Sequence, residues 1–238
     1  MVGQKCPECT TPRHLTRVIP ARTLRHVNRN TPVTWSLIAI NVVLFAADQL
    51  FPSFGNELLQ RAAHHPLLVD RGEWWRVLSA MFLHGGLLHV LFNMYALWLF
   101  GPVLERRFGS FSFAALYLAA GAAGGALYQT IGPNAWAVGA SGAIFGLFGA
   151  LLIASYRQRH TRAGAAAFSQ LVILLGINLA LPLFVPNIAW QAHVGGLLAG
   201  VLIGAVWDRL PRSKGSAWKR TSVALLVGMA ALLTALLL

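Results

Sequence analysis

Residues 190–206 read WQAHVGGLLAGVLIGAV. The stretch is apolar over most of its length, and its glycines include Gly196, Gly200 and Gly204, four residues apart. Small residues at this spacing let membrane helices pack backbone to backbone. It also holds one ionisable side chain, His193, and such side chains at membrane depth are costly and usually mark a functional site. The stretch therefore predicts a closely packed transmembrane helix with a functional histidine near its start.

The rest of the chain has the same apolar character. Of its 238 residues, 56% are hydrophobic and only 11% are charged, whereas a soluble domain carries about 25% charged residues. A helix needs about 20 residues to cross the ~30 Å hydrocarbon layer, and most of seven apolar blocks come close to this length, the first, fourth and last being short. They lie at roughly 34–50, 79–101, 111–131, 140–156, 168–185, 190–207 and 221–238. The sequence predicts an all-α polytopic membrane protein with seven transmembrane helices.

The net charge of +12 is distributed in a way that reports membrane topology. Sixteen of the 19 Lys and Arg residues lie in the N-terminal tail or in alternate connections between the predicted spans. The connections near 132–139 and 186–189 carry no charge. By the positive-inside rule, this pattern predicts a cytoplasmic N-terminus and a C-terminus outside the membrane. Because topology accounts for the basic residues, we expect no nucleic-acid partner.

The predicted spans divide the chain into four parts. These are a cytoplasmic tail (1–33), a six-helix membrane domain (34–208), a basic cytoplasmic loop (209–220) and an additional C-terminal transmembrane helix (221–238). The tail holds the only two cysteines, Cys6 and Cys9, and the reducing cytosol argues against a disulfide between them. A C-x-x-C pair is half of a zinc site, which His14 or His26 could complete. The alternatives are a disordered tail and a truncated zinc-binding module.

Polar residues from three predicted spans reach the same depth in the membrane. Spans two, four and six run in the same direction, so their N-terminal ends share one face of the membrane. Ser141 opens the fourth span, His193 lies near the start of the sixth, and three polar residues fall early in the second: His84, His89 and Asn93. At a rise of 1.5 Å per residue, all of them lie within about two turns of the outer interface. This agreement of depth predicts a single site.

A serine and a histidine are the smallest set of side chains that can carry out covalent acyl transfer, because the imidazole accepts the proton of the attacking hydroxyl. Gly142, Gly146 and Gly149 follow Ser141, so the fourth and sixth spans can approach closely enough to join Ser141 and His193 by a hydrogen bond. The alternative is that Ser141 is one more small residue at a helix interface. No acidic residue falls at the depth of His193, so a catalytic site here would be a dyad.

His89 and Asn93 lie four residues apart and share one face of a helix. Both donate hydrogen bonds, and acyl transfer needs donors directed at the oxygen that becomes negative in the tetrahedral intermediate. The backbone N–H of Ser141 would complete this oxyanion site. The alternative is that the two side chains only join neighbouring helices. His84, five residues from His89, is expected to point elsewhere and to tie its helix to the adjoining loops.

The chain resembles the rhomboid family of intramembrane serine proteases. The resemblance covers about residues 34–208, and five motifs carry it in the order of the family. They are Trp75-Arg76, HGGLLHVLFN at 84–93, Glu105-Arg106-Arg107, Gly139-Ala140-Ser141-Gly142 and Ala192-His193. The resemblance implies a six-helix rhomboid-like bundle, to which this chain adds a seventh C-terminal transmembrane helix, and an activity that needs no cofactor.

The resemblance also implies roles for individual residues. The nucleophile would be Ser141, the general base His193, and the oxyanion donors His89 and Asn93. Supporting positions follow as well: Gly139 shapes the turn before the serine helix, Phe145 packs against the histidine, Trp75 and Arg76 belong to a half-submerged first loop, and Glu105 and Arg107 are structural.

The implied activity is hydrolysis of a peptide bond in or near a transmembrane segment of a membrane-anchored protein. Water would enter from the outer side, and the substrate helix would unwind locally, since an intact helix keeps its carbonyls bonded internally. The Ala- and Leu-rich spans and the excess of arginine over lysine favour a bacterial plasma membrane.

The sequence leaves two other functions open. One is a non-catalytic rhomboid-like scaffold that binds client transmembrane helices without cutting them; such relatives generally lack the serine or the histidine. The other is a transporter or metal-binding channel with His84, His89 and His193 as ligands. Against it, no ionisable residue continues through the middle of the bundle and no inverted repeat is apparent.

Overall fold

A computed structural model describes residues 30–211 and 214–237. The described chain is helical, with a single isolated antiparallel bridge, between His64 and Ala137, as its β pairing. The helices are α1 (Pro32–Leu50), α2 (Pro52–Ala62), α3 (Pro66–Asp70), α4 (Arg76–Ser79), α5 (Leu87–Phe108), α6 (Ser110–Ile131), α7 (Ser141–Tyr156), α8 (Arg162–Ala180), α9 (Trp190–Arg209) and α10 (Ala217–Leu237). The predicted all-α architecture is confirmed.

Six of the helices in the described ranges are long and apolar enough to cross a membrane. They are α1, α5, α6, α8, α9 and α10, with α8 continued by a 3₁₀ turn over Leu181–Leu183. The remaining predicted span is α7, which is apolar but only 16 residues long. At 1.5 Å per residue α7 covers about 24 Å. The chain is thus a polytopic membrane protein whose serine-bearing helix is its shortest apolar span.

The predicted second span, 79–101, has the wrong start and the wrong end. The chain there forms the short helix α4, a 3₁₀ turn over Ala80–Phe82 and an extended link, and α5 begins only at Leu87. Gly85 and Gly86 explain the break, because glycine costs about 1 kcal/mol in a helix relative to alanine and Gly86 has an extended backbone. At its other end α5 runs on through the basic motif to Phe108.

The core of the bundle is α7, packed between α6 and α9. Eleven of the 16 residues of α7 are buried. The C-terminal helix α10 packs along α6, where Gly228 lies against Ala119 and Ser112 Oγ is 3.1 Å from Thr221 Oγ1. In α8, by contrast, only Gly164 is buried. The apolar side chains exposed on α1, α5, α8 and α10 are those we expect to face lipid.

Glu105 joins three helices at one end of the bundle. Its carboxylate accepts hydrogen bonds from the backbone N–H groups of Val33 (3.0 Å) and Thr34 (2.8 Å), from Thr34 Oγ1 (2.7 Å) and from Ser110 Oγ (2.7 Å). The first N–H groups of a helix lack internal partners, and a negative charge is favoured there. Glu105 therefore caps α1 from α5 and also binds the start of α6.

Candidate active site

Ser141 and His193 meet between two parallel helices. Ser141 is the first residue of α7, and His193 lies in the first turn of α9. The distance from Ser141 Oγ to His193 Nε2 is 2.9 Å. This is a hydrogen-bonding distance between a hydroxyl and the ring nitrogen that could accept its proton.

Glycines bring these two helices together. A Cβ atom built on Gly196 would collide with the carbonyl oxygen of Gly142, and one on Gly200 would collide with that of Gly146. The backbones of α7 and α9 are thus in direct contact over two successive turns, as the four-residue spacing predicts. This contact holds the first turns of the two helices, and with them the serine and the histidine, side by side.

The ring of His193 is fixed by Phe145. The two rings are stacked, with centroids 4.2 Å apart and planes inclined by 10°. His193 Nδ1 is buried and has no hydrogen-bond partner among the described residues. Within the described residues, no acidic side chain forms an ion pair or a hydrogen bond with the His193 ring. Stacking, rather than a carboxylate, orients the imidazole.

Gly139 places the backbone before Ser141 against His89 and Asn93. Its φ of +128° lies in a region that side-chain-bearing residues rarely adopt. A Cβ atom there would lie 2.6 Å from His89 Nε2 and 3.8 Å from Asn93 Nδ2. Because Gly139 has no side chain, both donors approach the turn that leads into α7. Asn93 Nδ2 is buried and has no partner among the described residues, so a donor without an acceptor lies beside Gly139, two residues before Ser141.

His84 does not behave as expected. Its ring does not point away from His89: the two rings meet edge to face, with centroids 5.1 Å apart. Both ring nitrogens of His84 are buried without a hydrogen-bond partner in the described chain, so the side chain does not tie the helix to the loops by hydrogen bonds. The physical reason is that His84 precedes α5, so helical spacing does not govern where it points relative to His89.

Trp75 and Arg76 organise the first loop. The Arg76 guanidinium is buried and donates to the carbonyl oxygens of Ala63 and Gln60 and to the carboxylate of Glu73. Trp75 is exposed, and its Nε1 donates to the carbonyl of Arg61 at 3.0 Å. These contacts tie α2 to α4, and neither side chain forms a hydrogen bond or a ring contact with Ser141 or His193.

Glu105 and Arg107 lie at the other end of α5, away from the serine. Glu105 caps α1, and the Arg107 guanidinium lies 5.4 Å from the centroid of the Phe108 ring. Both residues are part of the helix framework rather than of the site around Ser141.

A small cavity opens beside the serine. Its volume is about 40 Å³, enough for a water molecule or a small chemical group. It is lined by Ser141, Gly139, His64, Met81, Val77 and Tyr128, with further small residues of α6 and α9. A Cβ atom on Gly121 would meet the side chain of Met81, and one on Gly125 would meet Val77. The glycines of α6 therefore let Met81 and Val77, which line the cavity, pack directly against this helix.

Sequence reasoning missed His64 and Gln129. His64 is buried in the first loop and lines the cavity, and its Nε2 lies 2.9 Å from Gln129 Oε1. The pair joins residues 65 positions apart. The adjacent histidines at 64 and 65 in an otherwise ordinary loop were the only signal in the sequence, and helical periodicity says nothing about loops.

The histidines that the alternative channel would use as ligands do not form a metal site in the structure. The described residues contain no group of three or more His, Cys, Asp or Glu side chains that could hold a metal ion. This removes the support for a channel with His84, His89 and His193 as ligands. Cys6 and Cys9 lie outside the described residues, and nothing in the comparisons below supports zinc in the tail.

Comparison with known proteins defines the class of this chain. The model of the Rhomboid domain family matches residues 71–209, which contain the serine, the histidine and the five motifs. The chain belongs to the rhomboid family.

Named relatives agree with this assignment. The chain is 35% identical over 205 residues to the rhomboid protease GluP of Bacillus subtilis, a match covering 85% of this chain and 40% of GluP. It is 39% identical over 145 residues to RHOMBOID-like protein 5 of Arabidopsis thaliana, covering 58% and 46% of the two chains. With the Bacillus subtilis protein YdcA it shares 34% identity over 174 residues, 72% of this chain and 86% of YdcA. The chain thus spans less than half the length of GluP and of RHOMBOID-like protein 5.

Proposed function

We propose that this chain is an intramembrane serine endopeptidase that hydrolyses peptide bonds in or near the transmembrane segments of membrane-anchored proteins. The observation that carries the proposal is the 2.9 Å contact between Ser141 Oγ and His193 Nε2. Membership of a family whose relatives include a named protease supports the same reaction class. The chemistry requires no metal and no organic cofactor.

The first half of the reaction forms an acyl-enzyme. Ser141 Oγ attacks the carbonyl carbon of the substrate while its proton passes to Nε2 of neutral His193. The bond from carbon to the amide nitrogen then breaks, and the leaving amine takes the proton from His193. The nucleophile is at the first position of a helix, where the backbone N–H groups have no internal acceptor.

The developing negative charge falls among unused donors. Asn93 Nδ2, which has no partner in the described chain, and the ring of His89 lie against Gly139. The third donor in this proposal is the backbone N–H of Ser141, two residues further on. Donors held in place before the reaction stabilise the tetrahedral intermediate without reorganisation. In acyl transfer this stabilisation often lowers the activation barrier more than any other single effect.

The second half of the reaction releases the acyl group. A water molecule attacks the ester carbon, its proton goes to His193 Nε2, and the bond to Ser141 Oγ breaks as the serine recovers its proton. The cavity beside Ser141 has room for this water. Its walls include the first loop and the segment before α7, both of which we place on the outer side of a bacterial plasma membrane, with the N-terminus in the cytoplasm.

Replacement of the nucleophile tests the proposal. In proteoliposomes containing a single-span membrane substrate, Ser141→Ala should abolish cleavage and labelling by a fluorophosphonate probe, because the bond to His193 activates this hydroxyl and is lost with it. Ser155→Ala is the matched control: this serine lies near the other end of α7, and the variant should cut and label like the wild type.

The same experiment separates the protease from a scaffold that only binds client helices. A scaffold would bind the substrate but show neither cleavage nor Ser141-dependent labelling. Cleavage that persists undiminished in Ser141→Ala would refute the assignment of the nucleophile.

A further inference from the structure

The first loop and the segment that leads into α7 are joined by backbone hydrogen bonds. The His64 N–H donates to the Ala137 carbonyl at 3.1 Å, and the Ala137 N–H donates to the His64 carbonyl at 2.9 Å. Ala137 is two residues before Gly139 and four before Ser141. We call His64, Gln129 and Ala137 the loop junction.

The side chain of His64 fastens this junction to α6. Gln129 Nε2 donates to Asp70 Oδ1 (2.7 Å) and to the Pro66 carbonyl (3.3 Å). The amide oxygen of Gln129 is therefore the acceptor that faces His64, so Nε2 of His64 carries the proton of their 2.9 Å hydrogen bond. In the neutral ring the lone pair is then on Nδ1, and Nδ1 is where a second proton would bind.

The junction reaches the residues around the nucleophile. Tyr128, whose ring meets that of His64 edge to face at 5.3 Å, donates its hydroxyl to the Ala135 carbonyl at 3.1 Å. Two residues beyond Ala137, the Gly139 N–H donates to the Ala80 carbonyl at 2.9 Å. Segment 135–139 is thus held at both ends, and His64 and Ser141 line the same cavity.

The surroundings of His64 oppose a positive charge. His64 is only 3% exposed, and burial is the main cause that lowers the pKa of its imidazole, with His65 and the Arg76 guanidinium lowering the pKa further. The hydrogen bond to Gln129 acts in the opposite direction but does not outweigh them. Among the other charged or titratable groups of these elements, Asp70 is bound through Gln129, Glu73 is paired with Arg76, and Tyr128 meets the His64 ring edge to face. Arg61 is paired with Glu57 on α2, Arg71 follows Asp70, and residues 133–139 carry no charge.

We propose that neutral His64 is a positioning residue for the reaction at Ser141: it holds residues 135–139 against the first loop, and its protonation loosens this contact and lowers turnover. The proposal rests on the proposed function, since turnover is its consequence. The loosening itself is a property of the fold and can be measured without any substrate.

The direction of the pH effect follows from two states of the loop junction. In the closed junction the hydrogen bonds of His64 with Gln129 and Ala137 are formed, and in the open junction they are broken. An imidazole released from the junction has a pKa of about 6.5, whereas the pKa of His64 in the closed junction is lower. The closed junction is therefore fully favoured above pH about 6.5 and weakens as pH falls below that value. Each unit between the two pKa values corresponds to about a tenfold change in the ratio of closed to open junction.

Hydrogen exchange of the unmodified protein tests the structural half of the proposal. After correction for the intrinsic effect of pH on exchange, the peptide containing the Ala137 N–H should exchange about three- to tenfold faster at pH 5.0 than at pH 7.0. A peptide from the middle of α7 should show no such change. Equal protection of the Ala137 N–H at both pH values would overturn the proposal, whether or not any variant folds.

Turnover against pH tests the functional half. In His64→Gln the side-chain amide can still donate to Gln129 but does not titrate. We expect kcat of the wild type to fall more than kcat of His64→Gln between pH 7.0 and 5.0, with KM alike in both; because kcat follows the fraction of closed junction, the extra fall is at most about three- to tenfold. His160→Gln is the matched control, because His160 is exposed in the connection between α7 and α8; its profile should follow the wild type.

The outcomes separate this proposal from the proposed function. Faster exchange at pH 5.0 without Ser141-dependent cleavage at any pH would refute the endopeptidase and leave the pH-sensitive junction standing. Ser141-dependent cleavage with the same acid dependence of kcat in wild type and His64→Gln would refute the role of His64 and leave the endopeptidase standing.

Discussion

At the scale of single residues, Asn93 offers the most direct measurement of the oxyanion site. Its side-chain nitrogen is buried, has no partner in the described chain and faces the turn before Ser141. If it donates to the oxyanion only in the transition state, Asn93→Ala should lower kcat by about 10²- to 10³-fold, as loss of one such donor does. KM should stay nearly unchanged, because the interaction is absent from the ground state.

Asn178→Ala is the control for this change. Asn178 is a half-buried asparagine on α8 whose side chain donates to the Leu174 carbonyl of its own helix at 2.8 Å, and its removal should leave kcat as it is. A normal kcat in Asn93→Ala would exclude Asn93 from the oxyanion site and assign it to helix packing.

The residues of the site differ in how far the sequence predicts them. Ser141 and His193 follow from depth alone, because two parallel helices bring their N-terminal ends to one level. The edge-to-face contact of His84 with His89, and the binding of His64 to Gln129, depend on how irregular segments fold back over the bundle. Those paths are set by long-range contacts that no local periodicity encodes.

At the scale of helices, the contact between α7 and α9 should be sensitive to a single methyl group. A Cβ atom on Gly200 collides with the backbone of Gly146, which cannot move aside as a side chain can. We expect Gly200→Ala to lower the free energy of unfolding by about 1–3 kcal/mol, the usual cost of overpacking. The measurement is unfolding in mild detergent with increasing amounts of a denaturing detergent.

Gly176→Ala supplies the matched control for this substitution. Gly176 lies within α8, and a Cβ atom there would meet nothing within 4 Å. Since alanine is the better helix former, this variant should be as stable as the wild type or more stable, by up to about 1 kcal/mol. Equal stability of Gly200→Ala and Gly176→Ala would contradict the backbone contact between α7 and α9.

The helices were predictable where apolar residues run without interruption. α6, α7 and α9 begin and end within two residues of the expected limits. The second span was misplaced because the residues before Gly85 are as apolar as those of a helix, although they form a 3₁₀ turn and an extended link. Hydropathy does not distinguish a membrane helix from a buried irregular segment.

At the scale of the whole molecule, the distribution of arginine and lysine predicts which ends of the helices face the cytoplasm. In a protein whose Cys6 and Cys9 are replaced by serine, Pro186→Cys should react with a membrane-impermeant thiol reagent applied to intact cells. His160→Cys should react only after the cells are opened. Both positions are exposed and lie at opposite ends of α8, so each serves as the control for the other.

The reverse pattern of labelling would place the serine end of the bundle in the cytoplasm. It would contradict the positive-inside interpretation while leaving the contact between Ser141 and His193 untouched. Orientation and chemistry are therefore tested separately.

The capping of α1 by Glu105 has a consequence for biosynthesis. Val33 and Glu105 are 72 residues apart, so at 5–20 residues per second the ribosome needs about 4 to 14 seconds to produce the carboxylate after the helix it caps. During this interval the first N–H groups of α1 lack the carboxylate that binds them in the folded chain. Among the described residues α5 is the next membrane-spanning helix after α1, so α1 gains its cap only once this second span has been made.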